Sequence, residues 1–460
     1  MLSMLWNLIF FCLALGILVT VHEAGHFFAA RLCGVKVLRF SIGFGRVLFK
    51  RTGRDGCEYA LSLIPLGGYV KMLGENEKSG EESEKESEAA EDSEHSFKEK
   101  SAGKRAFIIF AGPLCNILLA VFLLTGLNMS GVIEVSPVVA DVAPASPADR
   151  AGFKEKDLIT SVDGTQVSSW NAVVLDLVGS AGNEKPVALN VVRNLGRGEH
   201  AELELSMKDF NLASKEDPLA IIGIKRYYGE VSRAVASVMP DSPASRAGIQ
   251  PGDIVESVNG VKTPSWYRMQ YEIENSESPL LSLIISRNEK LYSVELAAEV
   301  KYDKAAGKDR RIIGIGTTVT PDRSIAKEVD YSFVQALEKS LSDTWSLSKL
   351  VTMAVYKMVS GAISPESISG PIAIAKGAGD SASSGIAYFI GFLAAISVNL
   401  GILNLVPIPI LDGGQLLFIA YEAVTGRTPG AKTQAMLTSI GFSLLLLLMV
   451  LAVFNDLRGL

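Results

Sequence analysis

The segment VHEAGHFFAA, residues 21–30, carries the HExxH spacing of a zinc hydrolase. On a helix, His22 and His26 lie one turn apart on one face, so both imidazoles can bind one ion while Glu23 projects beside it. Zinc with three protein ligands keeps a fourth position for water and lowers the pKa of that water to about 7. An adjacent carboxylate can then take the proton, which is the chemistry of peptide hydrolysis.

A third protein ligand must come from a distant part of the chain, because no Asp, Glu or His occurs between Phe27 and Arg54. The best candidate is Asp412, which follows an apolar run broken by Pro407 and Pro409 in NLGILNLVPIPILDGGQ. Backbone freed by proline is tolerated inside a bilayer only where it packs in protein or lines a cavity, and an acidic group there is usually functional. A solvated aspartate just outside the bilayer is the alternative.

The elements that must position these residues are apolar. Hydrophobic residues make up 48% of the 460-residue chain, and four segments can cross about 30 Å of hydrocarbon: residues 4–30, 106–127, 385–405 and 437–454. A cleaved signal peptide is the alternative for the first segment, but no Lys or Arg precedes Arg31. Basic residues flank the loop 31–105, which predicts a cytoplasmic loop, with residues 129–383 and both termini outside the cytoplasm.

Charge and cysteine content restrict the remaining regions. Residues 75–99 are rich in Glu, Ser and Lys and supply much of the net charge of −6. Such a tract buries too little apolar area to order itself, so we expect a disordered loop. No cysteine lies in the extracytoplasmic region, which excludes a disulfide scaffold or a CxxC zinc site there.

The extracytoplasmic region contains an internal repeat with a spacing of about 96 residues. The two copies are DVAPASPADRAGFKEKDLITSVDGTQVSSW from Asp141 and SVMPDSPASRAGIQPGDIVESVNGVKTPSW from Ser237, and they end in IIGIK and IIGIG. A repeat of this kind predicts two copies of one domain. Both copies resemble circularly permuted PDZ domains, which bind extended peptides at a sheet edge. The alternative is a pair of spacers that bind nothing.

The motifs as a set resemble the site-2 protease family of intramembrane zinc metalloproteases. HEAGH and NLVPIPILDGG carry the resemblance, together with AGPLCN at the start of the second span and with SIGFG and IPLGGY in the cytoplasmic loop. The resemblance implies zinc held by His22, His26 and Asp412, with Glu23 as general base. It also implies a membrane-reentrant β-hairpin within residues 37–71. The residues it places near the substrate are Asn399, Asn404, Gly43, Phe44, Gly45, Gly67 and Gly68.

The expected fold is a polytopic α-helical membrane protein with four transmembrane helices, a membrane-reentrant β-hairpin and two extracytoplasmic, circularly permuted PDZ domains of the α+β class. The expected boundaries are 1–31 (first span), 32–74 (β region), 75–100 (acidic disordered loop), 101–128 (second span), 129–228 and 229–322 (PDZ domains), 323–383 (amphipathic and linker helices), 384–416 (third span and NxxPxPxLDGG) and 417–460 (connecting segment and fourth span). Residues 331–358 have helical spacing, and that helix either lies on the outer leaflet or packs on the protein.

The expected function is zinc-dependent endoproteolysis in the bacterial inner membrane, on transmembrane segments of single-pass proteins that have already been trimmed. The resemblance implies an anti-sigma factor as substrate, with remnant signal peptides as a further class and no nucleic-acid partner. A catalytically silent PDZ scaffold or chaperone is the alternative, but a scaffold has no reason to keep all four site residues. A metal transporter is a third hypothesis, and the other spans lack the ligand series that it needs.

Overall fold

The computed structural model describes residues 2–74, 94–180, 185–208, 210, 217–303, 308–360 and 369–458. Its helices are α1 (Leu2–Leu32), α2 (Ala102–Met129), α3 (Pro147–Ala151), α4 (Trp170–Gly179), α5 (Pro218–Ile222), α6 (Pro243–Arg246), α7 (Trp266–Glu274), α8 (Phe333–Val359), α9 (Pro371–Ser384), α10 (Ile386–Asn404), α11 (Asp412–Thr425) and α12 (Ala431–Arg458). A four-residue turn at Arg193–Gly196 is not numbered because Asn194 and Leu195 have left-handed backbone angles.

The strands are β1 (Val37–Thr52), β2 (Glu58–Met72), β3 (Val132–Val135), β4 (Val139–Val142), β5 (Leu158–Val162), β6 (Thr165–Gln166), β7 (Val187–Val192), β8 (His200–Leu205), β9 (Ile224–Arg226), β10 (Gly229–Val231), β11 (Ser237–Val238), β12 (Ile254–Val258), β13 (Val261–Lys262), β14 (Leu280–Arg287), β15 (Lys290–Ala297), β16 (Glu299–Asp303), β17 (Lys308–Ile312), β18 (Ile315–Gly316), β19 (Val319–Pro321) and β20 (Ala326–Val329).

Four of the helices, α1, α2, α10 and α12, are long and apolar enough to cross a membrane. Helix α2 is the central one, and it packs against α1, α8, α10 and α11. Helices α1 and α2 come close at Gly25, where a Cβ atom would overlap the backbone of Ala111 and Gly112. This approach requires glycine, and it brings the HExxH face of α1 against α2.

The last of these four apolar helices, α12, is anchored at its C-terminal end. The buried Asp456 carboxylate accepts hydrogen bonds from the backbone N–H groups of Gly370 (2.9 Å), Ile372 (2.9 Å) and Ala373 (3.1 Å), which are the free donors at the start of α9. Helix α9 in turn packs on α1, where the Trp6 indole donates to the Gly379 carbonyl at 3.2 Å. Helix α9 therefore connects the two ends of the chain.

Strands β1 and β2 form a bent hairpin beside α1. Residues 37–42 pair with 68–72 on one side, residues 39–42 pair with 58–61 on the other, and residues 47–52 pair with 58–62. The bends coincide with Gly43 and Gly45 in β1 and with Gly67 in β2, which all have positive φ. The hairpin thus folds into four strand segments, and the segment 68–72 forms an edge next to α1.

The end of the acidic tract is ordered. The expected disordered loop covered residues 75–100, of which 75–93 lie outside the described residues. Residues 94–100 form turns, the Phe97 side chain is buried with Val35 and Met72, and the Lys36 N–H donates to the His95 carbonyl at 3.1 Å. The predicted loop boundary was wrong for these residues, because the apolar side chain of Phe97 docks in the core beneath the hairpin.

The two sequence repeats fold alike. Each contains a four-stranded sheet of the same order, β6-β5-β7-β8 in the first and β13-β12-β14-β15 in the second. Each also has a short helix after Ser146 or Ser242, whose hydroxyl accepts from a backbone N–H three residues later. In both, a fully buried aspartate before the first of these strands in sequence pairs with an arginine. Asp157 pairs with Arg193, just after β7, and Asp253 pairs with Arg287, at the end of β14. We call these units the first module (137–227) and the second module (233–317).

Helix α8 packs on the protein rather than standing free. It contacts α2 and α10, and the Asn128 amide donates to Ser340 Oγ at 3.0 Å. Near its C-terminal end, Lys357 Nζ donates to the carbonyl of Gly179 at 3.0 Å, at the end of α4 in the first module. Of the two alternatives for this segment, packing on the protein is therefore observed. The exposed side chains of Phe333, Trp345 and Tyr356 leave contact with a leaflet as a prediction.

Candidate active site

Three potential metal ligands from opposite ends of the chain lie close together among the apolar helices. His22 Nε2 lies 3.3 Å from His26 Nε2, and Asp412 Oδ2 lies 3.2 Å and 3.6 Å from these two nitrogens. Both histidines are buried, with 8% and 7% of their surface exposed. Among the described residues, these three are the only cluster of His, Cys, Asp and Glu that could hold a metal ion.

The spacing fits zinc. Ligand atoms about 2.0–2.1 Å from a tetrahedral zinc ion are about 3.3 Å from one another, close to the three observed separations. Asp412 Oδ2 is buried and receives no hydrogen bond from the described residues, although two imidazole nitrogens face it. A buried carboxylate oxygen without a donor is costly unless a cation satisfies it. The donor set therefore fits the predicted zinc.

Asp412 reaches this position because the chain reverses direction after α10. Residues 405–411 form a turn that contains Pro407 and Pro409, and α11 begins at Asp412. Gly413 and Gly414 press against the backbone of Leu405 and Ile408, where any Cβ atom would overlap. The LDGG sequence therefore folds the start of α11 back onto the turn. The expected boundaries assigned residues 384–416 to the third span and its motif and 417–460 to a connecting segment and the fourth span, so the short helix α11 was not predicted.

Helix α11 is also fixed from its other end. Arg105 at the start of α2 makes two hydrogen bonds to the Glu422 carboxylate, of 2.6 Å and 3.1 Å, in the fork geometry that arginine favours. Because α2 also contacts both histidines, this pair ties the Asp412 helix to the helix that supports His22 and His26. No signal in the sequence indicated this pair, whose members are 317 residues apart.

Glu23 lies between the ligands and the hairpin. A Cβ atom on Gly68 would come within 2.9 Å of Glu23 Cγ, so the edge segment 68–72 begins beside this carboxylate. Glu23 is half-buried, and within the described part of the chain its carboxylate makes no hydrogen bond. The carboxylate is thus free to accept a proton from a molecule in the site.

The predicted substrate residues divide into two groups. Asn404 Nδ2 lies 3.3 Å from His22 Nε2, so its amide is part of the site. Gly67 and Gly68 lie at the bend of β2, and Gly68 is next to Glu23. Gly43 and Gly45 form the bend of β1, and Asn399 is half-buried on α10. Within the described residues, no side-chain hydrogen bond joins these three to the site, and the side chain of Phe44 lies outside what the structure describes.

Two residues of AGPLCN lie at the site, although no role was predicted for them beyond membership of the motif. Asn116 is fully buried, and its Nδ2 lies 3.2 Å from His22 Nδ1. Gly112 faces His26, where a Cβ atom would overlap the imidazole ring. The sequence signal that could have found them is an asparagine four residues after a glycine in an apolar segment, since this spacing places both on one face of a helix.

Replacing Gly112 by alanine should weaken zinc binding. The added methyl group must displace the His26 ring or push α2 from α1, and overpacking of this kind costs about 1–3 kcal/mol. If His26 absorbs the strain, zinc affinity falls about 10- to 100-fold in a chelator competition. Gly126→Ala is the matched control, since this glycine lies on the same helix with nothing within 4 Å of its Cβ position. Equal zinc affinity in both variants would contradict the contact.

Comparison with known proteins shows the family. The model of peptidase family M50 matches residues 10–448. The chain is 40% identical over 458 residues to the regulator of sigma-E protease RseP of Escherichia coli and 39% identical over 460 residues to protease RseP of Yersinia pestis. It is 37% identical over 458 residues to a predicted zinc metalloprotease of Vibrio cholerae. Each match covers 99% of both chains, which confirms the predicted zinc metalloprotease. The chain belongs to peptidase family M50, the site-2 proteases.

Proposed function

We propose that this protein is an intramembrane endopeptidase in which His22, His26 and Asp412 hold zinc and Glu23 is the general base. The observation that carries the proposal is the meeting of the three ligand atoms, all within 3.6 Å of one another, between helices apolar enough to span a membrane. Ionisable groups at that depth are expensive and are usually functional. The substrate class is therefore a transmembrane segment.

The catalytic roles follow from what each side chain can do. When bound, zinc supplies a Lewis acid that polarises the scissile carbonyl and makes water more acidic. Glu23 accepts the proton of the attacking water and returns it to the leaving amine. The Asn404 amide, 3.3 Å from His22 Nε2, can donate a hydrogen bond to the carbonyl oxygen as negative charge develops on it.

Access of the peptide bond to these groups requires local unwinding. In a helix each carbonyl is already hydrogen-bonded, and side chains surround it. The edge segment 68–72 begins at Gly68 beside Glu23, so a substrate strand paired there would present its backbone to the base. We assign residues 37–71 to a membrane-reentrant hairpin on this basis. The two prolines of the turn 405–411 free backbone groups that favour a hydrated pocket.

The proposed topology places the catalytic machinery in the bacterial inner membrane. Basic residues between α1 and α2 assign the loop 31–105 to the cytoplasm, so both termini and both modules lie in the periplasm. Relatives named regulators of sigma-E support a single-pass anti-sigma factor as the substrate. Remnant signal peptides are a second proposed substrate class, because each is also a single apolar helix.

The two modules would act as circularly permuted PDZ domains that screen substrates. Gly223 and Gly314 are the glycines of the two IIGI segments, and both have a positive φ, which glycine adopts without strain. The modules also contact each other, since Lys225 Nζ donates to Gln270 Oε1 at 3.1 Å and Tyr271 donates to the Pro144 carbonyl at 3.4 Å. Two modules in contact above the active site would exclude substrates with bulky periplasmic domains. The enzyme would then cleave only substrates whose periplasmic domain has already been removed.

Deleting both modules should allow untrimmed substrate to be cut. The Ser136 N–H donates to the Ile325 carbonyl at 2.8 Å, so a short Gly-Ser linker can replace residues 137–324 without displacing β3 and β20. We expect mass spectrometry to map the cut to one peptide bond inside the substrate's apolar span. Wild type acting on trimmed substrate should cut the same bond.

A smaller deletion provides the matched control. Ser232 and Thr318 are joined by a 3.0 Å backbone hydrogen bond, so residues 233–317 can be removed to leave the first module in place. If cleavage by the larger deletion still depends on prior trimming, the modules do not screen by size. If the mapped cut lies outside the span, the enzyme is not an intramembrane protease.

A further inference from the structure

The two histidines of the site differ in what holds their second ring nitrogen. His26 Nδ1 lies 2.9 Å from the backbone carbonyl of Ile108. A carbonyl oxygen only accepts hydrogen bonds, so Nδ1 carries the hydrogen and Nε2 keeps its lone pair toward Asp412. The tautomer of His26 is therefore set by the backbone of α2, whatever side chains surround it.

His22 faces a side-chain amide instead. Asn116 Nδ2 lies 3.2 Å from His22 Nδ1, and Asn116 Oδ1 is buried without a hydrogen-bond partner among the described residues. A half-turn about χ2 exchanges the two amide atoms without changing the shape of the side chain. Asn116 can thus offer His22 Nδ1 either a donor or an acceptor.

The ligand role of His22 decides between these orientations. If Nδ2 donated, Nδ1 would be the acceptor and the ring hydrogen would lie on Nε2, the atom that faces Asp412 Oδ2 at 3.2 Å. A protonated Nε2 has no lone pair for a metal. Either orientation leaves one amide atom unpaired within the described residues, so pairing of the amide itself does not favour one of them.

We propose that Asn116 is a positioning residue, which presents Oδ1 to the His22 Nδ1–H and thereby keeps Nε2 free to bind the metal. The inference rests on the ligand role proposed above for His22. Ring N–H groups of metal-binding histidines usually donate to a carboxylate, a carbonyl or water, and removing such a partner typically lowers metal affinity about 10- to 100-fold. Asn116 supplies this partner from α2, as Ile108 does for His26.

The position of Asn116 is fixed from a third helix. Ser397 Oγ on α10 donates to the Asn116 backbone carbonyl at 2.7 Å, and Asn116 has no exposed surface. Asn404, two turns further along the same face of α10, lies against the Nε2 side of the same ring. The His22 imidazole is therefore held between two amides, one at each nitrogen, and only Asn116 can act on the nitrogen that points away from the metal.

The test measures zinc dissociation constants of the full-length protein in detergent by competition with a chromophoric chelator. Asn116→Leu keeps the volume of the side chain but removes the acceptor, and we expect zinc affinity to fall about 10- to 100-fold. Asn116→Asp keeps an acceptor and should bind zinc within about threefold of wild type by the same argument. Absorption of the cobalt-loaded protein should be preserved in Asn116→Asp and changed in Asn116→Leu.

Each outcome decides the inference. Unchanged affinity in Asn116→Leu, or an equal loss in both variants, would overturn it, because a packing role does not distinguish an acceptor from a methyl group. If Asn116→Leu fails to fold, Asn116→Asp decides alone, and a loss of more than about tenfold overturns the proposal. His22→Ala in the same titration separates this failure from failure of the proposed function, since unaltered zinc affinity there would remove His22 from the ligand set.

Discussion

Replacing Glu23 by glutamine is expected to abolish measurable cleavage of a transmembrane substrate while one zinc ion per chain remains bound. Glutamine has nearly the same shape but cannot accept the proton, and loss of a general base typically costs about 10²–10⁴-fold in rate. The three proposed ligands do not include Glu23, so the metal site should be unaffected. Cleavage is followed by gel shift of a model substrate, and zinc by atomic emission of the same purified sample.

The control for this prediction is Glu338→Gln on the exposed side of α8, which removes a carboxylate of the same kind far from the ligands. It should keep both zinc and cleavage. Full activity of Glu23→Gln would refute the general-base role. Joint loss of zinc and cleavage would mean that Glu23 supports the metal rather than the proton transfer.

Replacing Asp412 by alanine is expected to empty the metal site. Binding free energies of protein zinc sites are about 10–16 kcal/mol, so one ligand among three or four contributes about 3 kcal/mol or more, or at least about 100-fold in affinity. Removal of Asp412 also leaves the two imidazoles without the carboxylate that faces them at 3.2 Å and 3.6 Å. We expect zinc to be lost during purification, and cleavage with it.

A chelator titration quantifies this loss, with Asp380→Ala on the exposed side of α9 as the control. The control should retain wild-type affinity. Zinc affinity unaltered in Asp412→Ala would move the third ligand to another residue. Such a result would also leave the buried Oδ2 of Asp412 without a role.

The sequence predicted the parts of the site that are encoded locally. The spacing of HExxH alone predicts two candidate ligands and a candidate base on one helix face, and the apolar runs predict the four helices that are long enough to span a membrane. Asp412 could be predicted as the third ligand, although it is far away in the chain, for two reasons. Ionisable residues are rare in apolar segments, and no third ligand follows His22 and His26 nearby in the sequence. The alternating and repeated motifs indicated the modules in the same way, and the structure shows matching sheets in both copies.

The parts that the sequence did not predict depend on tertiary contacts. Nothing in the sequence distinguishes Arg105 and Glu422 from other charged residues, but the fold brings their side chains within 2.6 Å. Likewise, the sequence shows Asn116 only as a polar residue in an apolar segment, and the fold places it beside His22. The order of residues 94–100 depends on a core into which Phe97 inserts. Such contacts arise from the approach of helices and strands far apart in the chain, which periodicity does not report.

We propose that residues more than 380 positions apart in the chain hold one zinc ion among apolar helices. X-ray anomalous diffraction at the zinc absorption edge, on crystals of the zinc-loaded protein, locates this ion. We expect a single strong peak about 2.0–2.2 Å from His22 Nε2, His26 Nε2 and Asp412 Oδ2. A peak bound elsewhere, or one that contacts the histidines but not Asp412, would contradict it.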